Sequence, residues 1–143
     1  MRGIESQLVE AFRKIVSGRG YCPHVARDLG RAARCDGADL IRVIAIFLAA
    51  IDNGCRRPVM LSGNGDPDLT PSEMQLLALI AAAQREDEAL MRAHLTFLVE
   101  APHEKPVTVA ARLVGGLLLK SEIELSLPVG QAAQHRMLLP VVA

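Results

Sequence analysis

The stretch Leu69–Ala83, LTPSEMQLLALIAAA, decides the architecture of this chain. Thr70 is suited to cap a helix, Pro71 to its first turn, and Glu73 stands at the spacing that completes a capping box. Behind them Leu, Ile and Ala follow almost without interruption. A helix with no polar face belongs inside a bundle, so this one predicts partners on every side.

Those partners are legible on both flanks. Upstream, Ile4, Leu8, Ala11, Phe12 and Ile15 share one face of a helix over Ile4–Val16. Pro23 opens a short helix to Ala33 with Val25, Ala26, Leu29 and Ala33 inward. Asp36-Gly37 reads as a turn. A third helix, Leu40–Ile51, takes Asp39 as its cap and carries only Arg42 as a charge before Asp52, so it too is central; Asn53-Gly54 is its expected stop.

Downstream, the corner Arg85-Glu86-Asp87-Glu88 supplies acids for the start of a fifth helix, with Leu90, Ala93, Phe97 and Leu98 on one face. Ala101-Pro102 and Pro106 bracket a break. A last helix runs over Val107–Lys120, and its Gly115-Gly116 predicts a close helix contact, since each glycine costs roughly 1 kcal/mol against Ala. Ile123, Leu125 and Leu127 alternate with polar residues, as in a short strand or extended segment. The expectation is an all-α, single-domain bundle of five or six helices over residues 1–122. An extended apolar tail over 123–143 would pack on the bundle or on a partner subunit.

Composition narrows the class. Half of the 143 residues are apolar, yet only one Tyr and three Phe are aromatic, so the core is built from aliphatic side chains. The mean hydropathy of +0.24 is high for a chain with no membrane span, which fits apolar surface covered between subunits and also a compact, Ala-rich monomer. No apolar run reaches the length of a spanning helix and no signal peptide is evident, and three widely spaced cysteines suit a reducing compartment. A cytoplasmic protein is expected. Net charge is zero but divided: residues 1–57 carry ten basic and six acidic side chains, and residues 58–143 carry six and ten. Such a division steers partners of opposite charge.

The thirteen residues LTPSEMQLLALIA resemble the first helix of the helix-turn-helix output domains of quorum-sensing-type transcription regulators. The resemblance stops there. Where that family continues into a polar turn and a recognition helix, this chain continues into the acidic corner Glu86–Glu88, which repels phosphates; a shared capping box before a Leu-rich helix accounts for the common letters.

Several constellations carry chemistry on paper. Arg27, Arg31 and Arg34 fall on one helical face and form a candidate partner-binding stripe, suited to an acidic protein surface or to phosphates. Ala26 and Gly30 have helix-turn-helix spacing, but Asp36 and Asp39 follow where apolar residues belong. Cys22, His24, Cys35 and Cys55 are formally a Cys3His set without the paired knuckles of structural zinc. Ser62–Glu73 mimics a calcium loop, with Ser62 in place of the first Asp and Pro67 in place of the turn Gly. His94 with Glu100 or Glu104 is the nearest approach to a base and carboxylate, with no nucleophile converging on it. The apolar end, including Met137, Leu138 and Leu139, is a second candidate contact. The reading is a small non-enzymatic regulatory or interaction module without cofactor or metal. It is expected to be homodimeric, docking through apolar helix faces and the tail. A nucleic-acid-binding regulator using the same arginines is the alternative.

Overall fold

A computed structural model describes residues 3–17, 23–63 and 65–125 of the chain. They form α1 (Ile4–Val16), α2 (Pro23–Ala33), α3 (Gly37–Gly54), α4 (Pro71–Gln84), α5 (Glu88–Leu98) and α6 (Glu104–Lys120), with a 3-10 turn, Ala101–His103, leading into α6. Among the described residues there is no strand beyond the isolated bridge Cys55–Val99. The all-α bundle is as the patterning predicts. No helix among these residues is long and apolar enough to cross a membrane.

α4 is the axis of the bundle. Every residue from Leu76 to Ala83 is buried, against α5 on one side and α6 on the other. Its capping box forms as expected: the Glu73 amide donates to Thr70 Oγ1 at 3.0 Å, and the Thr70 amide donates to Glu73 Oε1 at 2.9 Å. α3 packs on α2 and α6, and α1 lies across α2 and α3, where Phe12 meets Phe47 with ring centroids 6.5 Å apart.

Three polar side chains of α4 are buried, and each ties in a different element. Gln75 Oε1 lies 3.0 Å from Nδ1 of His94 on α5. Gln84 donates from Nε2 to the carbonyls of Gly115 and Ile123 and accepts the amide of Leu125, so its side chain holds the segment after α6 as a strand neighbour would. Ile123 and Leu125 lie in no strand; their backbone groups pair with the amide side chain of Gln84. Leu127 and the rest of the expected tail lie outside the described residues.

Glu73 makes the third tie. Its carboxylate is fully buried and takes two hydrogen bonds from Arg13 on α1, Nε to Oε2 at 2.8 Å and Nη2 to Oε1 at 3.0 Å. It also accepts the amide of Ser62 at 2.9 Å. Arg13, 3% exposed, spends its remaining donors on the carbonyls of Asp66 and Asp68 and on Glu10. Burial opposes ionisation of Glu73, but the hydrogen bonds from Arg13, Thr70 and Ser62 outweigh it and hold the carboxyl below the usual glutamate range. The Glu73 hydrogen bond in turn holds the Arg13 guanidinium above its ordinary value.

Some boundaries differ from the sequence expectation, for local reasons. α3 starts three residues early, at Gly37. Its cap is Asp36, whose Oδ1 accepts the amides of Ala38 and Asp39 at 2.9 and 3.4 Å; Asp39 instead pairs with Arg42. α3 also continues through Gly54, which is not a left-handed stop. A Cβ there would sit 2.3 Å from His103 Cβ, so the glycine serves a close crossing under the 3-10 turn. α6 begins at Glu104 and absorbs Pro106, which a first helical turn accommodates because its amide has no intrahelical partner there.

Of the paired glycines in α6, only Gly115 answers to the expected contact: a Cβ there would lie 2.9 Å from Gln84 Cγ. At Gly116 nothing lies within 4 Å, so its cost of roughly 1 kcal/mol has no return inside the described fold.

Breaking a buried pair by removing one partner costs about 3–5 kcal/mol. Glu73→Gln is therefore expected to lower the unfolding free energy by that order in urea titrations at pH 7. Because the folded-state pKa of Glu73 is lowered, the stability it contributes is complete above the unfolded value, about 4.3, and is lost as pH falls below it. The variant's stability should accordingly fall less steeply than the parent's between pH 5 and 3 (an order-of-magnitude window from the same linkage). A variant within about 1 kcal/mol of the parent would contradict the role given to this pair.

Candidate functional site: the arginine face of α2

α2 and α3 are joined by a three-residue turn, Arg34–Asp36, and their backbones touch. A Cβ on Gly37 would stand 1.8 Å from the carbonyl oxygen of Ala26, and one on Gly30 would stand 2.9 Å from that of Cys35. These two glycines bring the start of α3 onto the side of α2. Gly30 lies within α2 and is not the turn residue that helix-turn-helix spacing assigns it. The left-handed residue is Arg34, with φ of 55°, and the Cys35 amide donates to the Gly30 carbonyl at 3.1 Å to close a Schellman cap.

The same cap closes α4 at Glu86 (φ 54°) and follows α6 at Glu122 (φ 60°). In each case glycine is the residue with no steric cost, and a side chain there loses about 1 kcal/mol. Arg34 recovers part of this because a cation suits the negative end of a helix.

The three arginines singled out by spacing do converge. Arg27 and Arg31 on α2 and Arg34 after it are all exposed, and with Gly30, Cys35 and Gly37 they line a shallow depression of about 470 Å³. The backbone contact of the two glycines forms part of its wall. Among the described residues the ion pairs engage Arg13, Arg42, Arg56 and Arg112, and none of Arg27, Arg31 and Arg34. Asp36 at the edge is turned to the amides of α3, so the start of that helix is capped by the chain's own carboxylate. Burial, then Asp36 and Asp39, push the Cys35 thiol up, which keeps it protonated at neutral pH and unsuited to nucleophilic work.

The remaining sequence candidates do not assemble. Cys35 precedes α3 and Cys55 follows it, so the 18-residue helix separates them by about 27 Å, too far to share a metal ion. His24 is exposed, and Cys22 lies outside the described residues, as do Met137, Leu138 and Leu139. In the Ser62–Glu73 loop the closing carboxylate is engaged by Arg13, and Asp66 accepts hydrogen bonds from Ser62 and from the Asp68 amide. Those two bonds lower the pKa of Asp66. Among the described residues no three His, Cys, Asp or Glu side chains converge as metal ligands.

His94 is buried against Gln75, and His103 packs on Gly54. A second depression, about 370 Å³ between α5 and α6, is lined by Glu88, Met91, Arg92, Glu104, Lys105 and Arg112 among others. Arg112 is ion-paired with Glu88 there, and no hydroxyl, thiol or imidazole other than Thr108 lines it; the Thr108 hydroxyl is donated to the Glu104 carbonyl. Comparison of the chain with known protein families, curated proteins and solved structures finds no match.

The cap geometry separates charge from fold at one position. Arg34→Gly should raise the thermal midpoint, by an amount matching about 1 kcal/mol, while removing a third of the cluster's charge. Gly37→Ala should do the reverse, destabilising the fold by about 1–3 kcal/mol as the helices are forced apart. Thermal unfolding followed by circular dichroism reads both; an Arg34→Gly protein less stable than the parent would refute the cost assigned to this cap.

Proposed function

We propose that this protein is a non-enzymatic docking module, homodimeric, whose arginine face on α2 receives an acidic surface of a partner protein. The observation that carries the reading is the convergence of Arg27, Arg31 and Arg34 on one depression with no carboxylate paired to any of them among the described residues. Cations left unpaired beside a shallow, glycine-walled surface steer an anionic partner and fix its register. An acidic protein is favoured over a nucleic acid because the start of α3, next to the cluster, carries exposed Asp36 and Asp39, and the one arginine of α3, Arg42, is paired with Asp39. Regulation by occupancy, in the cytoplasm, completes the reading. Met137, Leu138 and Leu139 belong to it as further apolar contact residues.

The test is a pull-down from native extract at low salt, with and without nuclease. It compares the parent with a variant carrying Arg27→Ala, Arg31→Ala and Arg34→Ala. The expected result is a discrete protein retained by the parent after nuclease, released by salt, and reduced about tenfold in the variant. Equal retention by both proteins would overturn the site. Recovery of nucleic acid that vanishes with nuclease would replace the acidic protein by a polynucleotide.

A further inference from the structure

Acidic groups stand close to the arginine row, and their placement restricts what can dock on it. Around the axis of α2, Arg27 and Arg31 share one face. Ala26 and Gly30, which line the depression, lie to one side of it, and exposed Asp28 lies to the other. His24, also exposed, stands one turn before Asp28. Past Arg34 come exposed Asp36 and Asp39 at the start of α3. Ser121, whose hydroxyl donates to the Arg34 carbonyl, is flanked by exposed Lys120 and Glu122. On α1, the other helix packed on α2, Glu5, Glu10 and Lys14 are half-buried and Arg13 is buried. A uniform polyanion spread over the row therefore also meets Asp28, Asp36 and Asp39, and like charges brought together cost what the arginines contribute. An occupant whose negative charges are spaced to the arginines avoids that cost.

We infer that the occupant is an α-helix of the partner protein, laid along α2, with carboxylates at i, i+4 and i+7, or at i, i+3 and i+7 where it runs antiparallel. Along the axis of α2, Arg31 stands about 6 Å from Arg27 and Arg34 about 10 Å from it, by the helical rise. A helix alongside has the same rise, so those three positions fall on one of its faces at the same steps and leave none opposite Asp28. An extended segment repeats same-side side chains about every 6.7 Å, so one that matches Arg27 and Arg31 overshoots Arg34 by roughly 3 Å. Beside the row, the depression is walled by Ala26, Gly30 and Gly37, whose small size admits a side chain from a helix lying across them. This inference names the element of the partner and rests on the acidic docking face proposed above.

Fluorescence anisotropy with synthetic probes tests it on the full chain at low salt. Three labelled Ala-rich peptides of about 20 residues, long enough to be helical in isolation, carry four Glu each. In the first, the acids stand at i, i+3, i+4 and i+7 on one face; in the second, they are spread around the helix. The third repeats the first with a central Pro that breaks the helix, and circular dichroism confirms the state of each. The first peptide is expected to bind about tenfold more tightly than either of the others, as three aligned exposed pairs allow. The variant carrying Arg27→Ala, Arg31→Ala and Arg34→Ala, its fold checked by circular dichroism, should lose this preference. Asp28→Asn should raise the affinity of the second peptide more than that of the first. Equal binding of all three peptides, or none by the first at about 1 mM, would overturn the helical occupant, and a protein still retained through the arginines in the pull-down would leave the acidic docking face standing. A preference that survives the triple substitution would overturn the arginine site together with the helix. An Asp28→Asn protein that treats the peptides as the parent does would overturn the selection of spacing by the neighbouring acids.

Discussion

Arg13 and Glu73 are 60 residues apart in the chain and form its one buried ion pair among the described residues. Two ions taken out of water are costly, and the cost is offset only when nearly every donor and lone pair finds a partner. Here that condition is met by recruiting the loop between α3 and α4. Arg13 takes the carbonyls of Asp66 and Asp68, and Glu73 takes the amides of Thr70 and Ser62. The longest irregular stretch among the described residues is therefore folded around a charge pair. The same carboxylate that closes the capping box of α4 fixes α1 against it. A neutral capping box of Thr and Gln would start the helix equally well but would not select the position of α1.

The rest of the bundle repeats this device with milder chemistry. α4 is apolar along most of its length, and an apolar rod can slide or rotate against its neighbours at small cost. Its buried polar groups remove that freedom, because a displaced Gln75 or Gln84 leaves buried donors or acceptors unsatisfied, at about 1–3 kcal/mol each. Glu73 sets α1, Gln75 faces His94 on α5, and Gln84 holds the chain after α6. Packing supplies the bulk of the stability and these three ties supply the register.

How much of this could be read in the sequence depended on how local the deciding interaction was. The capping box, the burial of α4 and the inward rows of α1 and α2 follow from residues within a few positions of one another, and the folded helices agree with them. Arg13 did not stand out, because in α1 it reads as an ordinary charge beside the apolar face. Its burial is imposed by a loop more than fifty residues away. Asp36-Gly37 reads as a turn, so the sequence points to Asp39 as the cap of α3. It is Asp36 in fact, since Gly37 lets the helix begin directly against the Ala26 carbonyl, a contact between backbones that periodicity does not register. The arginine row was legible because helical spacing alone aligns it. That Arg34, the residue after Ala33, closes the helix in a left-handed cap is not legible there.

Among the described residues the cluster has no ion-pair partner, which is itself informative once the topology is known. The acidic half of the chain is not remote from it: Ser121 is hydrogen-bonded to the backbone of Arg34, and Glu122 follows directly, exposed. A charge-divided chain folding on itself has every opportunity to neutralise such a row. An exposed ion pair between these groups would have contributed at most about 1 kcal/mol, so its absence costs the fold little. Attraction between three cations and an acidic surface strengthens where their contact excludes water, against the cost of stripping both of their hydration. Arg34 shares its left-handed cap position with Glu86 and Glu122, and of the three it alone brings the cation that suits a helix C-terminus.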